Sequence, residues 1–254
     1  MSGIIYVGCT STTRAIIEAH IKYHPDIPIA GIVGLSNIFA DRKINYDQLS
    51  DFAFKYPVTY CEDVNAPVPM NFIKDKNPTL IIQSGWSGKF GKELLSIPKY
   101  GCIGQHPSPL PRGRGAAALN WAIINGETDW GNTFFRMTEE YDAGDVLAQR
   151  YFEIVENDTY KTLLKKADDT SVAIIKTYLK DWYCGQVDGV TQRYQMSTHY
   201  GKRAPWMGEM EPDWPHEKMK RYVRALTKPC NGAYFKTFEG KIYIWDHNQI
   251  VEDE

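Results

Sequence analysis

The sequence predicts an α/β protein: a mostly parallel, doubly wound sheet followed by a small C-terminal β-hairpin region. Three observations predict it. Through the first 106 residues short β-branched runs alternate with segments of helical period, and such alternation demands crossover connections, hence parallel strands covered on both faces. After residue 130 the pattern changes to two longer strand-like runs and one long amphipathic segment. Near the end of the chain, turn signals at Pro229 to Gly232 and at Glu239-Gly240 separate short apolar runs, as in a hairpin.

Taken in order, residues 3–8 (GIIYVG) read as a buried strand, and 12–23 (TTRAIIEAHIKY) as a helix capped by Thr12, with Ile16, Ile17 and His20 on one face. Residues 27–35 (IPIAGIVGL) follow as a strand, 45–56 (NYDQLSDFAFKY) as a helix, 57–61 (PVTYC) as a short strand and 69–76 (PMNFIKDK) as a helix. Then come a strand at 79–85 (TLIIQSG), a helix at 91–97 (GKELLSI) and a strand at 101–106 (GCIGQH). GNTFFRMTEE and DVLAQRYFEIVEN give two longer strands joined through EYDAGD, and 159–183 gives one long helix with Thr159 at its start. Residues 184–215 are rich in Gly, Pro, Trp and Met without period, which places a boundary near 190: a main domain over 1–190 and a region over 191–254 with a short helix and the hairpin.

Bulk properties exclude several classes. At 254 residues and 43% hydrophobic the chain can bury a large core. A net charge of −2 offers no broad cationic field for a polyanion, so no nucleic-acid partner is expected. No apolar run is long enough to span a membrane, and the N-terminus reads as a first strand rather than a leader. Five scattered cysteines without a CxxC argue against a disulfide framework or a zinc site and for the cytoplasm.

The stretch GCIGQHPSPLPRGRG, residues 101–115, carries the chemistry. His106 ends a strand, and in sheets of this kind ligands bind at the carboxyl ends of strands. Pro107, Pro109 and Pro111 hold the following segment away from helix, which projects the imidazole from a stiff base. A rigid turn with a structural histidine is the alternative reading. EYDAGDV places Asp142 and Asp145 at a glycine-bearing turn, where a carboxylate can meet His106 and stabilise its cation.

Residues 101–149, GCIGQHPSPLPRGRGAAALNWAIINGETDWGNTFFRMTEEYDAGDVLAQ, resemble the formyltransferases that use 10-formyltetrahydrofolate. Four blocks of that family's pattern occur in order: a His-Pro-Ser strand end, a Leu-Pro and Arg-Gly loop, a Trp-Ala-Ile-x-Asn-Gly-Glu helix, and an Asp-Ala-Gly-Asp turn. SGWSGKF (84–90) is similar to the family's pterin-side loop, and VRALTKPCNGAYF in the tail is loosely similar to its C-terminal segment. The resemblance implies the formyltransferase fold and a metal-free reaction in which His106 moves the proton and Asp142 polarises it. It places the folate donor against Gly85, Trp86, Lys89, Phe90, Thr138, Glu139, Glu140 and Tyr141. One departure stands out: the family's asparagine two residues before the histidine is Gly104 here. Strand alternation sends Gln105 to the opposite face, so three readings stay open. Gln105 reaches the site through a bulge and acts there, water and backbone supply the donor, or the site is disabled.

For the acceptor, the short tail resembles that of sugar N-formyltransferases, which implies a nucleotide-linked amino-dideoxysugar, a surface-glycan precursor, and a homodimer. Arg112, Arg114, Lys202 and Arg203 are candidates for its phosphates, and Trp121, Tyr200, Trp206 and Trp214 for stacking a base or sugar face. The competing readings are another amine, on tRNA, glycinamide ribonucleotide or an amino acid, and a binding protein without turnover.

Overall fold

Three five-residue runs are buried along their whole length, β1 (Ile4–Gly8), β4 (Leu80–Ser84) and β5 (Cys102–His106), as expected of central parallel strands covered on both faces. The structure is a computed structural model that describes residues 2–251. Around these strands the chain adds α1 (Ser11–Tyr23), β2 (Ile29–Leu35), β3 (Val58–Cys61), α2 (Pro67–Lys76) and α3 (Lys92–Ser96). After β5 come a two-residue β6 (Arg114–Gly115), α4 (Ala118–Ile124), β7 (Asp129–Arg136), β8 (Val146–Glu153) and α5 (Tyr160–Tyr183). The tail holds β9 (His199–Tyr200), α6 (His216–Ala225), β10 (Ala233–Thr237) and β11 (Gly240–Ile244). The main sheet runs β3-β2-β1-β4-β5-β7-β8. Its pairings are parallel from β3 to β5 and antiparallel from β5 to β8.

The two faces of the sheet have separate cores. Ile5, Val7, Ile81 and Cys102 pack under α2 and α3 with Met70, Ile73 and Leu94. Ile4, Tyr6, Leu80, Ile82 and Ile103 pack under α1 and α5 with Ile16, Ile17, Ile174 and Ile175. A third cluster joins α4 and the start of α5 to Met210, Met219, Val223 and Ala233 of the tail. The tail beyond residue 190 thus shares a core with the region after β5.

Three local expectations are corrected. Helix 45–56 does not form; short 3₁₀ turns cover Asn37–Arg42 and Ser50–Phe54 instead. Asn45 and Leu49 adopt positive φ, the Asp47 carboxylate accepts from the Leu49 amide at 2.9 Å, and Arg14 binds both Asp47 and Asp51. Side chain to backbone bonding of that kind competes with helix. Thr12 is not the cap of α1, which begins at Ser11 after an extended Thr10; the Thr12 hydroxyl donates to Asp168 on α5 at 2.6 Å. The hairpin turns at Phe238-Glu239, with Thr237 paired to Gly240.

His20, read as a core-facing residue of α1, is 1% exposed. Its Nε2 lies 3.0 Å from the Ile27 carbonyl and its Nδ1 2.7 Å from the Tyr6 hydroxyl, so Nε2 carries the proton and Nδ1 accepts. Burial lowers its pKa to about 4, and burial raises that of Asp168 to about 6. The signs oppose. His20 contributes stability present above its unfolded value and lost as pH falls from about 6.5 to 4, because only the unfolded chain takes up that proton. Asp168 takes up its proton in the folded state first, so over nearly the same window it restores stability as pH falls. Each effect is worth up to about 3 kcal/mol, and together they nearly cancel. Asp168→Asn is therefore expected to unmask the histidine, making denaturant midpoints fall more steeply than wild type between pH 6.5 and 4.5; parallel profiles would refute it.

Candidate active site

A cavity of about 610 Å³ opens at the carboxyl ends of β1, β4 and β5, and His106 and Asp142 both line it. His106 is 8% exposed and its Nε2 lies 2.7 Å from the Gly113 carbonyl oxygen. A carbonyl only accepts, so the proton resides on Nε2 and Nδ1 is left as the basic nitrogen. Nδ1 faces Asp142 Oδ2 at 3.8 Å. A proton taken up at Nδ1 would thus sit beside a carboxylate, the arrangement of a base whose cation is stabilised by an orienting acid.

Asp142 is held from several sides. It adopts a φ of 53°, a left-handed conformation that Asp tolerates better than most residues. The Gly115 amide donates to its Oδ2 at 2.8 Å. Gln192 Nε2 donates to the carbonyls of Asp142 and Gly144 at 2.8 and 2.7 Å, and Gln192 Oε1 in turn accepts from Arg114 at 2.7 Å. Arg114, expected at a phosphate, is instead a 3% exposed clamp on the acidic turn. Gln192 lies in the stretch without period, and nothing in the sequence marks it.

Register places the Gln105 side chain. β5 pairs without interruption with β4 and β7, so no bulge turns Gln105 toward His106. Its Oε1 accepts from Ser84 at 2.9 Å and its Nε2 donates to Asn132 at 2.6 Å, on the opposite face of the sheet. It borders the cavity with both ends of its amide engaged. The space beside Gly104 is closed as well: a Cβ there would meet the Phe135 ring at 2.8 Å and Met137 Cγ at 3.1 Å. Gly104→Asn is therefore expected to gain no activity and to lose about 1–3 kcal/mol of stability through overpacking. A thermal melt with an activity assay checks this, and a faster variant would overturn it.

The loops expected to hold the folate form a second recess of about 60 Å³, lined by Trp86, Lys89, Phe90, Phe135 and residues 138–142; Gly85 lines the main cavity. Trp86 is buried and its indole N–H has no hydrogen-bond partner among the described residues.

The remaining acceptor candidates separate. Tyr200 and Lys202 line the cavity. Arg112 lies outside its walls, over the Trp130 ring and paired with Asp129 at 3.1 Å. Arg203 packs over the Trp121 ring and donates to the Met207 carbonyl. Trp121 stacks on Tyr200 from outside, Trp214 packs edge-on to Tyr222, and Trp206 is 69% exposed away from the cavity. Sequence reasoning missed Lys43, which lines the cavity and donates to the Gly85 carbonyl at 2.9 Å. Burial lowers its pKa and the charge of Lys202 lowers it further.

Residues 57–179 match the family model described as formyl transferase. The bifunctional polymyxin resistance protein ArnA of Wigglesworthia glossinidia brevipalpis is 32% identical over 208 residues, 81% of this chain and 32% of that protein. The chain thus spans about a third of that relative's length. A solved sugar N-formyltransferase from Shewanella sp. has a TM-score of 0.77 at 21% identity, covering 96% of each chain. A methionyl-tRNA formyltransferase from Clostridium thermocellum has a TM-score of 0.66 at 19% identity, covering 96% of this chain and 91% of the other. At such identities the likeness is one of fold, shared by enzymes named for a sugar and for a tRNA.

Proposed function

From a chain that carries a formyl transferase domain, we propose transfer of a formyl group from 10-formyltetrahydrofolate to the primary amine of a nucleotide-linked amino-dideoxysugar. The observation that carries this reading is the His106–Asp142 pair: both residues line the large cavity, and Asp142 also lines the smaller recess.

The recess fits the donor in kind. The orphaned indole N–H of Trp86 offers a hydrogen bond, and Phe90, Phe135 and Met137 give apolar walls for a flat heterocycle. At about 60 Å³ the recess is smaller than a fused ring, so the donor's ring extends from it into the adjoining cavity or widens it on binding. The donor supplies an activated formyl group. His106 Nδ1 removes a proton from the attacking amine and delivers it to the departing nitrogen, while Asp142 stabilises the imidazolium between the two events. One carbon–nitrogen bond forms and one breaks, with no change of oxidation state.

Lys43 and Lys202 support a phosphate-bearing acceptor, since both line the cavity and the charge of one acts on the other. A small charged acceptor also suits a chain with a net charge of −2 better than a nucleic acid does. The solved sugar N-formyltransferase of matching length supports the sugar. Homodimerisation through the exposed Ile242 and Tyr243 of β11 and a place in the cytoplasm belong to the same reading; among the described residues no helix is long and apolar enough to cross a membrane.

The test is tetrahydrofolate release measured with a panel of nucleotide-linked 3-amino and 4-amino sugars, beside methionyl-tRNA. Turnover with one sugar and none with the tRNA is expected. Turnover with methionyl-tRNA alone would replace the sugar, and folate binding without turnover on any amine would leave a binding protein.

A further inference from the structure

Formyl transfer places negative charge on the formyl oxygen as the amine adds, and that charge needs a donor aimed at it from within the site. The formyl carbon has to sit where the donor's recess and the acceptor's cavity meet. Four residues line both: Gln83, Trp86, Tyr141 and Asp142. Asp142 is an acceptor committed to Gly115 and facing His106. Tyr141 is 57% exposed, and the Trp86 indole N–H lies beside Gly88, which lines only the recess, where it serves the donor's ring. Gln83 brings a carboxamide to the junction.

Its placement follows from strand register. Gln83 pairs with Gly104 across the parallel β4–β5 ladder, and partners in a ladder present side chains to the same face. Gly104 and His106 are two residues apart on β5, so Gln83 stands on the histidine's face, whereas Gln105 stands behind it. Gly104 itself offers no polar group on this face, and the space beside it is filled by Phe135 and Met137. Gln83 is 9% exposed, and its Nε2 donates one hydrogen to the Trp86 carbonyl at 2.9 Å. That bond fixes the amide and leaves the second N–H of the same nitrogen for the cavity.

We propose that Gln83 donates to the formyl oxygen and stabilises its developing charge, a role that rests on the formyl-transfer reading. The first arm of the test needs no acceptor. Folate and 10-formylfolate differ only in the formyl group, so wild-type protein is expected to bind the formylated compound at least about fivefold more tightly. In Gln83→Met, which keeps length but removes the amide, the ratio is expected to fall to near one, as loss of one charge-free hydrogen bond implies. The second arm is turnover on whichever amine the panel identifies. There Gln83→Met is expected to lose about 10²–10³ in kcat, with KM for the formylated donor rising by no more than the roughly fivefold lost in the first arm.

A merely structural Gln83 would weaken both folates equally and leave their ratio intact, which overturns the proposal. So does a Gln83→Met kcat within threefold of wild type. If wild-type protein bound neither folate, the formyl-transfer reading itself would fail, an outcome distinct from the other two. Should Gln83→Met not fold, Gln83→Glu keeps the size of the side chain without the N–H, and the same ratio decides.

Discussion

His106→Ala is expected to lower kcat by about 10²–10⁴, the range of a positioned acid–base group, with KM for the folate donor held within about threefold. The split follows from geometry. The imidazole is fixed through Nε2 to the Gly113 carbonyl, which leaves Nδ1 as its basic nitrogen; in the proposed reaction that nitrogen serves proton transfer rather than ground-state binding. Added imidazole is expected to restore part of the rate, because the truncated side chain leaves space open to the main cavity. Steady-state kinetics on the amine found by the panel checks both, and a variant keeping more than a tenth of wild-type turnover would remove His106 from the chemistry.

Asp142 should separate charge from backbone. At 3.8 Å from His106 Nδ1, an ion pair at an effective dielectric of 20 amounts to about 4 kcal/mol, close to a thousandfold in rate. The carboxylate is partly exposed to solvent, so a loss of about 10²–10³ is the expected result for Asp142→Asn. Asn tolerates the left-handed conformation almost as well as Asp, so its melting temperature should stay near wild type. Asp142→Ala loses the same charge and adds strain at a φ of 53°, which should lower stability by about 1 kcal/mol more. Equal melting with unequal rates for the two variants would contradict this division.

The parts of the fold legible in the sequence are those set by local pattern. Continuous apolar runs gave the buried β1, β4 and β5, Thr159 marked the start of α5, and the proline-stiffened stretch after β5 located His106. Segment 45–56 was not legible, because a helical spacing of apolar residues was overridden by an arginine 31 positions upstream of Asn45 that binds two aspartates. Charge type misled in the same way. Arg114 has the chemistry of a phosphate ligand, yet its partner is a glutamine 78 residues away. The Gly104 departure left three readings open along one strand; a candidate donor lies on the adjacent strand, and ladder register is a property of the folded sheet that no single segment encodes.

The short pairing of β6 with β9 bears on how such enzymes diversify. Gly115, whose amide holds Asp142, pairs with Tyr200 of the tail, and a side chain at 115 would strike the Tyr200 carbonyl at 2.3 Å. The tail residues Tyr200 and Lys202, which line the cavity, are therefore tied to the loop that holds Asp142. Under the proposed reaction, exchanging tails between relatives to change acceptor preference, by recombination or in the laboratory, would disturb the support of Asp142 along with the acceptor's surroundings. A crossover point placed after residue 200 keeps that pairing native, whereas one placed at residue 190 cuts through it.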